Sequence, residues 1–450
     1  MNLDTGTIAN LRASMSGAVV APGDAAFDKA RRIWNASADR RPALIAVCEE
    51  TSDVQRALAL ATDAGLPVAI RSGGHSVAGF STCDDGIVID LSNLKAVTVD
   101  TERRVARADA GVTLGGFDRA TQEHGLATTL GIVSMTGITG LTLGGGLGWL
   151  MRKHGLACDN LLSAEIVLAD GTQVTANEED DPELLWGLKG GGGNFGVVTS
   201  LEYRLHPIGP MVFGGPVAYA PDAGRDLLHF YREFSASAPH ELTTYAAFTA
   251  GPDGSPVAAL AACHCGDLSE AERLLAPARS AVGSPLADAL GPIPYLDLQS
   301  RIDASYPPGQ YHYWRSCFLD ELTDEVIEIL VERSNDSPAP PLLEIVIEQM
   351  GGAIRAGDGA FAHREAAYDV LIDANWENPD DEERCVRWAR ETAAALEPYA
   401  RGGYVNYEPD SGNEAARTTY GSSAARLRSL KSKFDPQNVF RLNQNITPSR

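Results

Sequence analysis

No apolar stretch in this 450-residue chain is long enough to span a bilayer as a helix. The start, Met1-Asn2-Leu3-Asp4-Thr5-Gly6, lacks the basic beginning and apolar core of a secretory signal. Positive charge is short too. Lys and Arg number 37 against 60 Asp and Glu, a formal net charge of −23, which argues against a nucleic-acid partner and favours solubility. The seven cysteines form no C-x-x-C pair. Cys263-His264-Cys265 is their one cluster, and no second cluster completes four ligands, so no metal is expected. Scattered, odd-numbered thiols fit reduced cysteines in a cytoplasmic protein that touches no membrane. Internal repeats and low-complexity segments are absent, and the length suits two domains rather than one.

What is present is glycine, concentrated in turns. Arg71-Ser72-Gly73-Gly74-His75-Ser76 lies between two apolar runs, Leu66–Ile70 and Gly86–Leu91, that read as buried strands. Paired glycines let backbone N–H groups close around a phosphate, and Arg71 adds a positive fork. Residues 42–110 read as β-α-β, with Thr51-Ser52-Asp53 capping a helix through Thr62. That puts the glycine turn at a strand's C-terminal end, where such folds hold ligands. Two further glycine-rich turns follow, within Gly137–Gly148 and Gly190–Gly196. Three in one α/β region suggest backbone wrapped around an extended, phosphate-bearing cofactor. A dinucleotide fingerprint fails, because Trp149 breaks G-x-G-x-x-G and no acid follows at the right distance. Glycine turns thin out after Pro207. Apolar runs such as Leu342–Ile347 and helices at Asp324–Glu332 and Asp381–Leu396 fit an antiparallel sheet backed by helices. A helix is expected near Ala415–Phe434.

Four ordered motifs and a tail carry a resemblance. They are Arg71-Ser72-Gly73-Gly74-His75, Thr139–Gly148, Lys153–Asn160, Leu185–Thr199, and then Tyr404-Val405-Asn406-Tyr407 with Phe440–Ile446. Together, over about residues 30–447, they resemble the berberine bridge enzyme-like oxidases, within the vanillyl-alcohol oxidase and p-cresol methylhydroxylase group of FAD enzymes. The resemblance implies an α+β fold. Residues 1–208 would be a two-part FAD-binding domain of the p-cresol methylhydroxylase type. Residues 209–398 would be an inserted substrate domain of antiparallel sheet plus helices, and 399–450 the C-terminal return.

It also implies FAD bonded covalently through His75. The cofactor set would be Arg71, Ser72, Gly73, Gly74, His75, Ser76, Gly79, Ser134, Thr136, Gly137, Gly140, Gly144, Gly145, Gly148, Val198, Tyr404 and Asn406. Many members carry a second flavin bond from a cysteine. Leu130–Gly137 holds none, so the chain resembles the single-bond, 6-hydroxynicotine oxidase branch, with Cys158 read as a packing residue.

Tyr407 matches the position of a catalytic base, which requires its phenolate to be stabilised by oxidised flavin or a cation. In a strand, Tyr404 and Asn406 would share one face and Tyr407 the other. Tyr311, Tyr313, Gln349 and His363 are the substrate-side candidates, and Glu348 is the rival base. The implied partners are a small-molecule substrate and molecular oxygen. The alternatives are a dehydrogenase on the same fold with a non-oxygen acceptor, an NAD(P)H-dependent flavin reductase, and a non-catalytic protein that retains flavin.

Overall fold

The computed structural model describes residues 3–251, 253–337, 343–409 and 418–449. Strands Leu44–Val47, Ile87–Asp90 and Val68–Arg71 run parallel in that spatial order, with Ala18–Val20 as an antiparallel edge. They are apolar almost throughout because both faces are covered. Val54, Ala57, Leu58 and Ala61 of the helix Thr51–Asp63 cover one face, and Phe27 packs on the other. Asp53 is not a cap. It lies inside the helix, fully buried, and accepts the backbone N–H groups of Ser16, Gly17 and Glu49 at 2.9, 2.9 and 3.1 Å. It thereby ties the N-terminal segment to this unit.

The next unit is a five-stranded antiparallel sheet, in the order Val97–Asp100, Val105–Asp109, Val197–Arg204, Leu161–Val167, Gln173–Asn177. Helices Leu114–Gln122, Ile138–Gly144 and Pro182–Leu188 share its apolar core. The third and largest sheet is antiparallel. It runs Ala287–Asp288, Met211–Tyr219, Pro256–His264, Leu242–Ala250, Leu343–Gln349, Tyr368–Trp376, Tyr311–Leu319, and Gly291–Pro294 pairs with Met211–Tyr219. Helices Gly224–Ala236, Leu268–Leu275, Asp324–Asn335 and Glu382–Leu396 bury one face of it. The other face turns toward the glycine turns of the first two units. The fold is α+β, and no helix among the described residues is long and apolar enough to cross a membrane.

The C-terminal helix, Ala424–Phe434, packs Leu427 and Leu430 back into the core of the second unit. The expected start near Ala415 lies outside the described residues. Lys431 is fully buried in this helix. Its Nζ donates to Asp435 Oδ2 at 2.7 Å and to the carbonyls of Asn194 and Phe440 at 2.8 Å each, pinning the third glycine turn to the tail. Removing one partner of a buried ion pair strands the other charge in apolar surroundings. Lys431→Met is therefore expected to cost ~3–5 kcal/mol, read as a lower urea midpoint with unchanged slope.

Candidate functional site

The three units enclose a cavity of about 800 Å³, ample for a cofactor. Its first wall is the turn after Val68–Arg71. Gly73 sits there because nothing larger fits: a Cβ on it would lie 2.4 Å from the Gly137 nitrogen, and one on Gly137 would lie 2.3 Å from the Gly73 nitrogen. The first and second glycine turns thus meet backbone to backbone. Among the described residues, no acceptor takes the backbone N–H groups of Gly73, Gly74, His75 or Ser76. Four consecutive free donors at the C-terminal end of parallel strands suit an anionic ligand.

Of the expected cofactor residues, Ser72, Gly73, Gly74, His75, Ser76, Thr136, Gly137, Gly140, Val198, Tyr404 and Asn406 line the cavity, and so does Tyr407. Six others stand behind it. Arg71 is no phosphate fork, because its guanidinium is engaged by Asp90 at 3.0 Å and by the Ala30 carbonyl at 2.8 Å. Gly79 packs on Ala38, Gly144 on Asn406, Gly145 on Phe361 and Gly148 on the Leu130 carbonyl. Ser134 is held by Asp303. These residues shape the turns without facing the cavity. Cys158 is buried in the apolar core beside Leu156 and Tyr404, as the packing reading expects.

His75 lines the cavity, and its buried Nε2 has no partner. Desolvation, with a smaller contribution from His312, pushes its pKa down to about 3. The imidazole is therefore neutral, with a ring nitrogen to spare. That nitrogen, the free backbone donors and the open space at Gly140 and Gly193, where a Cβ would meet nothing within 4 Å, fit FAD.

The second wall is the uncovered face of the large sheet. Side chains alternate across a strand, which decides the substrate-side candidates. On Tyr311–Leu319, Trp314 lines the cavity. Tyr311 and Tyr313 point to the helical side instead, Tyr311 stacking on Trp376 and Tyr313 taking a hydrogen bond from Arg390 at 2.8 Å. On Leu343–Gln349, Glu344 and Glu348 face the cavity. Gln349 faces the helices and is spent on Thr244 and the Ser235 carbonyl, at 2.7 and 2.6 Å. His363 stacks on Phe318 and bonds the Thr419 carbonyl at 2.9 Å, away from the cavity. Tyr311, Tyr313 and Gln349 are engaged on the helix-covered side, and His363 is held by Phe318 and the Thr419 carbonyl, so none of the four lines the cavity.

The face that does look inward is acidic. Glu344 lies directly opposite Asp373, and Glu348 opposite Asp369. All four are buried, and no cationic side chain pairs with them among the described residues. Burial pushes every one above the ordinary carboxylate range; Asp369 reaches about 7. Like charges opposite one another repel, so protons must be shared. Tyr306 shows this directly, with its hydroxyl 3.0 Å from Glu344 and 2.8 Å from Asp373. A single hydroxyl hydrogen between two carboxyls favours a proton held by one of them, in line with the raised pKa of both.

Tyr404, Asn406 and Tyr407 do not form a strand. The Tyr407 N–H bonds the Tyr404 carbonyl at 2.9 Å, closing a turn that brings all three to the cavity. Tyr404 accepts the Gly146 N–H and an Asn406 amide hydrogen, both at 2.7 Å, and Asn406 also donates to the Leu141 carbonyl at 3.0 Å. The turn is thereby locked to the second glycine segment. Tyr407 and Glu348 line the cavity together, near enough for each to influence the other's proton affinity. Burial first, then the Glu348 charge, holds its pKa well above the usual tyrosine value. A carboxyl group stands where the sequence reading places a cation or flavin as stabiliser.

Sequence reasoning missed Trp34, Tyr306, Asp369, Asp373 and Asn375. The available signal was acids four residues apart, Glu344 with Glu348 and Asp369 with Asp373, in otherwise apolar strands.

Known proteins resemble the chain along nearly its whole length. Residues 42–177 match the model of an FAD binding domain, and residues 403–447 the berberine and berberine-like model. An FAD-linked oxidoreductase of Dictyostelium discoideum is 31% identical over 444 residues, covering 97% of this chain and 95% of that one. The (R)-6-hydroxynicotine oxidase of Paenarthrobacter nicotinovorans is 31% identical over 457 residues, covering 97% of each. The crystal structure of 6-hydroxy-D-nicotine oxidase from Arthrobacter nicotinovorans superposes with a TM-score of 0.89 at 29% identity, covering all of both chains.

Proposed function

The chain belongs to the berberine bridge enzyme-like FAD-linked oxidoreductases, and on that premise we propose that it oxidises a small organic substrate at a C–H bond next to an O–H or N–H. In this reading FAD is joined to His75, and molecular oxygen is the acceptor that leaves as hydrogen peroxide. The supporting observation is the meeting of His75, Tyr407 and Glu348 on one cavity. When bound, FAD supplies uptake of a hydride and onward transfer of the electron pair.

The chain's own residues do the rest. We read residues 1–208 and 399–450 as the FAD-binding portion and 209–398 as the substrate portion. The free N–H groups of Gly73–Ser76 receive phosphate charge. Tyr407 rests as a neutral phenol, so it takes a proton only by giving one up. Its hydroxyl proton passes to Glu348 as the substrate's O–H or N–H proton arrives. Glu348, raised by burial and by Asp369, is a stronger base than a solvated carboxylate. The proton thus leaves the reacting centre while the adjacent C–H delivers its hydride. All seven cysteines are free, which supports a cytoplasmic location.

The acceptor is tested by screening sugars, secondary alcohols and cyclic amines against the holoprotein in air. One peroxide released per substrate oxidised is expected. Flavin that stays reduced in air and reoxidises only with a quinone would instead make the protein a dehydrogenase.

A further inference from the structure

Three rings are stacked in a column beside the cavity. Trp34 lies between His75 and His312, with ring centroids 3.8 and 3.7 Å away and interplanar angles of 18° and 14°. The rings come from three separate parts of the chain: the N-terminal segment, the first glycine turn and the strand Tyr311–Leu319.

The indole is fixed on every side. Its Nε1 donates to the Tyr306 carbonyl at 3.0 Å, and its backbone N–H to the Gly74 carbonyl at 3.1 Å. The next residue, Asn35, is fully engaged. Its Nδ2 donates to the carbonyls of Val77 at 2.7 Å and His312 at 2.9 Å, while its Oδ1 accepts the His312 N–H at 3.0 Å. His312 is held in turn through its Nδ1 by Asn375. The edge of Trp314 closes the column at 5.6 Å from Trp34. His75 is held less tightly, its ring hydrogen-bonding only its own backbone. It follows Gly73 and Gly74, the latter at φ +69°, and its Nε2 has no partner. Face-to-face contact with the indole restrains the plane of the imidazole.

We propose that Trp34 is the positioning residue for covalent attachment of FAD to His75, with His312 as the backing that holds the indole in place. The inference rests on the reading that His75 carries the flavin. Attachment replaces one C–H of the 8α-methyl group and the imidazole N–H with one C–N bond. Two protons and two electrons are released, the electrons passing to dissolved oxygen. The step needs a neutral ring nitrogen aligned on one carbon atom. Misplacing reacting groups by about 1 Å costs about 10²-fold. An imidazole carried on a glycine turn meets that requirement only when a rigid neighbour fixes its plane.

The test uses full-length protein produced with limited flavin and then supplied with FAD in air. Total bound FAD and the share retained by the acid-precipitated pellet are followed over time. In the wild type, bound FAD becomes pellet-retained. Trp34→Ala is expected to bind FAD but attach it about 10²-fold more slowly. Trp34→Phe, which restores a flat ring, should recover most of the rate. A merely structural loss would lower bound and attached FAD together and would not separate the two. His312→Ala leaves the His75 contact in place and is expected to show an intermediate rate, so the proposal stays testable if Trp34→Ala fails to fold. Attachment at the wild-type rate in Trp34→Ala, or in His312→Ala should Trp34→Ala not fold, overturns it. A wild type that releases all its flavin would instead defeat the reading of His75 itself.

Discussion

Tyr407→Phe should slow substrate-driven flavin bleaching under anaerobic conditions by ~10²- to 10⁴-fold while leaving bound FAD in place, the range for loss of a positioned proton acceptor. The ring remains, so its contacts with Tyr404 at 4.8 Å and Trp314 at 5.6 Å persist. Only the hydroxyl proposed to pass the substrate's proton to Glu348 is gone. The pH profile carries the same information. Glu348 accepts a proton only when deprotonated, and burial followed by the Asp369 charge holds its pKa well above the ordinary 4.5. Bleaching in the wild type should therefore be slow on the acid side and accelerate as pH rises through that raised value. Glu348→Gln should flatten the rise. Wild-type bleaching rates in Tyr407→Phe, measured by stopped flow, would remove Tyr407 from the proton path.

The second large effect belongs to His75. In His75→Ala all flavin should leave the acid-precipitated pellet, against full retention in the wild type. A covalent imidazole substituent withdraws electrons from the flavin, so its loss should also lower the reduction potential. Each ~30 mV lost from a two-electron couple shifts the equilibrium about tenfold. His75→Ala that still binds FAD should accordingly be bleached more slowly by the same substrate. A variant that keeps its yellow colour in the pellet would place the covalent bond elsewhere.

Much of the fold was legible because its signals are local. The parallel strands around Val88 and Ile89 are continuous apolar runs, and the glycine turns punctuate them. The resemblance in those turns led to His75 and the tail, and both reach the cavity. The misreadings came from information that a linear sequence holds only weakly. Arg71 looked free until Asp90, across the parallel pair, claimed it. Residue type points to Tyr311, Tyr313 and Gln349, whereas the side they occupy depends on strand parity relative to a helical layer that lies far away in sequence. The Tyr404–Tyr407 segment looked extended, yet side-chain bonds to Gly146 and Leu141 made it a turn. The stacking of Trp34 is not legible in the sequence, because the two rings on it come from residues 75 and 312. The opposed acids were visible as residues but not as pairs, because register fixes the pairing.

The most direct test of the account is denaturing mass spectrometry of the purified chain, followed by peptide mapping. The account predicts one FAD per chain, carried by the peptide containing His75 and absent from His75→Ala. An unmodified chain, or FAD mapped to any other residue, would contradict it.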